Sequence, residues 1–247
     1  MSQDHSADFT EERYDQLLHS AQRQYRFEPF GTRTKIPHVL WRHDVDCSVH
    51  RALRLAEIEA DRGLRATYFF MLHSEFYNLL EPVVFRAARK ILSLGHYAGL
   101  HFDLAFYDLG QHDIAALEKK ALLEKAVLEN FLETSVCSVS FHNPEIGNAL
   151  QYDQDIFAGM VSTYGRSLRD KYFYVSDSNG IWRHHRLPDV IEQASFRSLH
   201  VLTHPVWWTP EVMSPRERMN RAIDGRRKFV QDFYVAELKS RGRPDVG

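Results

Sequence analysis

Asp44 and Asp46 close an apolar run that begins at Ile36, in the stretch Trp41-Arg42-His43-Asp44-Val45-Asp46. A buried strand ending in two acids presents both on one face of the sheet edge, about 6–7 Å apart, because side chains alternate along an extended chain. One such carboxylate can hold a cation while its neighbour handles a proton. The spacing equally suits a plain strand followed by a helix near Val49, with Asp46 or Ser48 as its cap. Other apolar runs end in comparable groups. His101 and Asp103 close Gly99-Leu100-His101-Phe102-Asp103, and His142 follows Ser140-Phe141. Asp177 follows Val175-Ser176, and His204 follows Leu202-Thr203. Parallel strands share a C-terminal side, so groups that end separate strands meet on one rim, where α/β enzymes carry their chemistry. Aspartate and histidine meeting there match a hydrolase site for zinc or another divalent ion.

The elements that must position these residues follow from hydrophobic periodicity. An amphipathic helix is expected over 10–27. Strand patterns cover 37–42, 66–72, 96–102, 135–141, 172–176 and 198–203. Helical patterns cover 48–62, 82–94, 114–132, 155–164, 187–194 and 214–238. Strands alternating with helices argue for a parallel sheet with right-handed crossovers. Six or more such units in 247 residues favour a distorted or incomplete (β/α) barrel. The chain reads as a single α/β domain over 1–247, with its core at about 37–208.

Composition narrows the function. A formal charge of −2 without a basic block gives no reason to expect a nucleic-acid partner. No apolar run reaches the length of a membrane span. The polar, acidic residues 1–12 lack the layout of an export leader, so a cytoplasmic setting is expected. Cys47 and Cys137 provide no disulfide framework. Fourteen histidines and 13% aromatic residues suit metal ligation and sugar stacking. In the loop Ser176–Arg183, Trp182 could stack on a sugar and Arg183 could pair with a carboxylate or phosphate. The same loop could be a tight turn at Asn179-Gly180 over a packed tryptophan. One of Trp207 and Trp208 is expected to wall the site. His184-His185 point apart, Cys47 reads as packing, and the arginines of the last helix read as a solvated face.

In order and spacing these stretches resemble the polysaccharide deacetylase superfamily, carbohydrate esterase family 4, across about residues 37–208. The resemblance implies a distorted barrel that uses a divalent metal, often zinc, to remove N- or O-acetyl groups from amino sugars. It implies Asp44 as general base, Asp46 and His101 as metal ligands, and His204 as general acid. It also implies Leu202, Asp177 and Trp182 around the substrate, where Arg183 and Trp207 are expected from their own loops. Two departures stand out. The position of the family's second metal histidine is Ala105, so a third ligand is expected from His142, or else from Asp103, which is otherwise a substrate contact. His142 also stands where the family has the arginine that orients the base, which leaves Asp44 without an assigned partner. The expected activity is hydrolysis of an acyl group from an amino sugar or surface-polysaccharide precursor. The rivals are a hydrolase of small linear or cyclic amides and a non-catalytic sugar-binding protein on the same fold.

Overall fold

The structure, a computed structural model, describes residues 5–107, 113–145 and 152–245. In chain order the elements are α1 (Glu11–Gln22), β1 (Arg26–Phe27), β2 (His38–Val45), α2 (Val49–Asp61), β3 (Thr67–Phe70), α3 (Pro82–Ser93), β4 (Tyr97–Phe102), α4 (Ile114–Leu132), β5 (Val136–Phe141), β6 (Ile156–Phe157), β7 (Met160–Ser162), α5 (Arg166–Lys171), β8 (Phe173–Ser176), α6 (Leu187–Gln193), β9 (Ser198–Thr203) and α7 (Pro215–Ser240).

Every residue of β2 is buried, as a strand covered on both faces should be. It occupies the middle of one sheet in the order β6-β7-β5-β4-β3-β2-β9-β8, with β1 paired to its first residues. All pairs are parallel except the β6–β7 hairpin. The sheet does not close, since β8 and the hairpin lie at its two edges. This is the incomplete barrel that the alternation suggested. Ser48, not Asp46, caps α2, its hydroxyl accepting from the Arg51 amide at 3.3 Å. Asp46 is therefore left out of the helix cap.

The curled sheet has an inner face built in layers. On β2, Leu40 packs with Phe30 and Phe69 as an apolar floor, against which Leu168 and Tyr172 close. Arg42 lies one step above the floor and Asp44 one step above that, by strand alternation. Gly99 makes room for the Phe69 ring: a Cβ there would stand 2.4 Å from Phe69 Cδ1.

Two expectations are corrected. Residues 155–164 are not a helix but the β6–β7 hairpin, turned by Ala158 at φ 49° and Gly159 at φ 71°. Positive φ at both central residues is what a two-residue hairpin loop of type I′ requires. The first helix ends at Gln22 instead of 27, because Arg26-Phe27 peel away to pair with β2, the Arg26 amide donating to the Pro37 carbonyl at 3.1 Å. Among the described residues no helix is long and apolar enough to cross a membrane.

Candidate metal centre and active site

Five strand-end residues meet at the C-terminal rim. His101 Nε2 lies 3.0 Å from Asp46 Oδ1, and His142 Nδ1 lies 3.3 Å from His101 Nε2 and 3.8 Å from Asp46 Oδ1. One donor atom from each of Asp46, His101 and His142 falls within 4.8 Å of the others. Asp46 Oδ1 is buried, and although His101 stands close, no donor is aligned on it. An orphaned buried carboxylate oxygen is costly in a folded protein. Facing two imidazole nitrogens, it fits a divalent cation, and an oxygen-nitrogen-nitrogen donor set is ordinary for zinc.

The backbone explains the convergence. His101 is in β4 and stands in register with Ser140 of β5. His142 follows β5, where its amide still donates to the Phe102 carbonyl at 2.9 Å, and Asn143 at φ 42° then turns the chain. Behind the trio, His101 Nδ1 and Ser140 Oγ are 2.6 Å apart, and Ser140 Oγ donates to Asp44 Oδ1 at 3.3 Å. A proton on His101 Nδ1 fixes the tautomer and leaves Nε2 free to ligate, the usual outer support of a metal histidine. Burial lowers the pKa of His142, which favours the neutral ring that a metal ligand must be.

Asp44 is not left unsupported. Arg42, two residues earlier on the same strand face, grips it as a fork, with Nε to Oδ1 at 2.8 Å and Nη2 to Oδ2 at 2.6 Å. Both side chains are buried. Arg42 is held in turn by Thr163 Oγ1 at 2.9 Å and by the Phe69 and Tyr164 rings beneath and above it. Burial alone would raise the Asp44 pKa, but the Arg42 charge and its forked hydrogen bonds outweigh it and hold the carboxyl well below its usual range. The direction of that shift favours the anion of Asp44 at neutral pH. The sequence carried the signal for Arg42, a lone cation in an apolar strand at i−2 from an acid. The family pattern drew attention to His142 instead.

On the opposite side of the trio, His204 Nε2 lies 3.8 Å from Asp46 Oδ2. Its Nδ1 donates to Asp177 Oδ1 at 2.6 Å, and its backbone amide reaches both Asp177 oxygens. Trp208 Nε1 fixes Asp177 Oδ2 at 3.0 Å. Burial pushes the His204 pKa down, but Asp177 and then Asp46 and Asp44 outweigh it and raise it to about 9. His204 is a protonated imidazolium at neutral pH.

A cavity of about 620 Å³ opens onto these groups, with Leu202, Trp207 and Arg183 among its walls. The remaining expected contacts lie elsewhere. Asp177 is fully buried behind His204, where it orients that ring and does not line the cavity. Trp182 does not reach the cavity: its Nε1 donates to Asp8 at 2.9 Å and its ring stacks on Phe9 at 4.9 Å. Asp8, itself forked by Arg186, is too distant in sequence for this packing to have been foreseen. Asp103 folds back to accept from the Ala105 amide at 2.9 Å and lies outside the donor trio. Burial, then the Asp46 charge, pushes the Cys47 thiol up to about 12, so it is no nucleophile.

No family model and no curated protein matches the sequence. Its fold is similar to those of family 4 carbohydrate esterases. An acetyl xylan esterase from Clostridium thermocellum, solved with a cobalt ion, is 16% identical at a TM-score of 0.41, covering 83% of this chain and 85% of that one. The chitin deacetylase of Colletotrichum lindemuthianum is 14% identical at 0.41, covering 81% and 88%. BA3943 of Bacillus anthracis, a pseudoenzyme of that family, is 16% identical at 0.40, covering 89% of this chain and 64% of that one.

Proposed function

We propose that the protein is a divalent-metal-dependent hydrolase that removes an acyl group from an amino sugar or surface-polysaccharide precursor. One observation carries this reading. Three metal-type donors converge within 4.8 Å, with an anionic carboxylate on one side and a cationic imidazole on the other. Asp46, His101 and His142 would hold the ion, zinc by donor type, and when bound it would polarise an acyl carbonyl and acidify a water. Asp44 accepts the proton of the attacking water. The Arg42 fork and Ser140 leave Oδ2 with a lone pair for that task. His204 Nε2 donates a proton to the departing nitrogen, and Asp177, bonded to Nδ1, orients the ring and stabilises its charge. Because the pair is ionised in opposite senses at neutral pH, base and acid are both ready before substrate arrives.

The test is hydrolysis by the metal-loaded protein of N-acetylated amino sugars beside small linear and cyclic amides. Amine release from the sugars, lost on chelation and restored by added zinc, supports the reading. Release from the small amides alone makes the first rival correct. Saccharide binding with intact metal but no turnover makes the protein a binding module.

A further inference from the structure

The cavity continues below the rim that carries the trio. β9 contributes Leu202 and then His200 to its wall, two and four residues before His204. At about 3.3 Å per residue, His200 lies about 13 Å down the strand from His204. It is in register with Leu40 of the apolar floor. The scissile carbonyl has two arms. Its nitrogen arm must meet His204 at the rim, where Arg183 and Trp207 also line the cavity. Its acyl arm therefore points the other way, past Leu202 towards His200. An acetyl group ends one methyl beyond the carbonyl and uses little of that depth.

His200 is 4% exposed, and its Nε2 is buried with no hydrogen-bond partner. Its ring is braced edge-on by Phe30 at 5.4 Å and by Tyr174 at 5.1 Å. Buried polar atoms nearly always find a partner, so an unpartnered imidazole in a cavity wall is suited to a ligand atom. Burial, then the Arg42 charge, lowers the ring's pKa to about 3, so it meets that atom uncharged. Arg42, the cation one layer above, is already spent on Asp44 and Thr163. Leu202 and Leu168 supply apolar walls between rim and floor.

We propose that the lower cavity is an acyl subsite for an N-acyl group longer than acetyl that ends in an uncharged polar atom such as a hydroxyl, with His200 as the residue that selects it. The inference rests on reading the site as a deacylase. Its test uses the metal-loaded protein and a His200→Leu variant. The substrates are glucosamines bearing N-acetyl, N-butyryl, N-hexanoyl, N-(4-hydroxybutyryl) and N-(6-hydroxyhexanoyl) groups. Calorimetry with the corresponding free acids gives a readout independent of turnover. For at least one chain length, wild type should prefer the hydroxylated member over its plain counterpart by about tenfold or more, as one well-made hydrogen bond allows. It should also prefer that member over N-acetyl. His200→Leu should lose the hydroxyl preference and keep the plain chain. Best turnover with N-acetyl, equal treatment of hydroxylated and plain chains, or an unchanged preference in His200→Leu overturns the proposal. If the binding preference holds while no member is hydrolysed, the deacylase reading falls and the polar-tipped subsite stands.

Discussion

Consecutive residues of β2 build two buried charged clusters on opposite faces of the sheet. Arg42 and Asp44 face the cavity, while His43 between them faces α2. There His43 Nε2 meets Glu59 Oε1 at 2.6 Å and Tyr68 donates to Glu59 Oε2 at 2.7 Å. Tyr14 adds a further bond to Oε1, and Thr203 satisfies His43 Nδ1 at 2.7 Å. Tyr14, His43, Glu59 and Tyr68 are all fully buried. In this knot both carboxylate oxygens are bonded and no water reaches them, so it ties α1, α2, β2 and β3 together. The cavity cluster has the same ingredients and a different ending. Asp46 Oδ1, His200 Nε2 and Trp207 Nε1 are buried around it without partners. Closed valences make a structural device, and open ones at a cavity make a site for ligands and chemistry.

The contrast breaks first at its acids. Asp44→Asn should lower turnover by about 10²–10⁴-fold, the usual worth of a placed base, while metal content stays near wild type. Steady-state kinetics beside elemental analysis checks both halves. Glu59→Gln should do the converse. It turns one accepting oxygen into a donor among the buried donors of Tyr14, His43 and Tyr68 and should cost about 1–3 kcal/mol, as an unsatisfied buried polar group does. Denaturant unfolding should register that loss, with turnover per folded molecule little changed.

Asp177→Asn sharpens the comparison on the acid side. The raised His204 pKa depends on the Asp177 charge, so the proton is held up to about pH 9 in wild type. Turnover should fall as pH rises through that value. In the variant the fall should begin at lower pH, and a pH–rate profile of each protein shows whether it does. Asp103→Ala should have the smallest effect, because its side chain serves only the local turn at Ala105.

Much of the site was readable because each of its members ends an apolar run. Asp44, Asp46, His101, His142 and His204 needed only strand alternation and parallel topology to be gathered together. Arg42 obeyed the same alternation but was masked by the expectation that the base's arginine lies in a later motif. Ser140 and His200 gave no signal, since a serine or histidine in a strand acquires its meaning only from the neighbouring strand. Trp182 depended on Asp8 and Phe9 at the other end of the chain. The hairpin at 156–162 was missed for a local reason. Ala158-Gly159 between the apolar pairs Ile156-Phe157 and Met160-Val161 is a turn signal that the surrounding helical spacing obscured.

The central claim is that His142 completes a metal site with Asp46 and His101 despite Ala105. Calorimetric titration of zinc into metal-free wild type, His142→Ala and Asp103→Ala tests it most directly. One equivalent should bind to wild type and to Asp103→Ala with matching affinity, and His142→Ala should bind at least about 10–100-fold more weakly, since even outer-shell losses cost that much. Equal zinc affinity in wild type and His142→Ala would contradict the account.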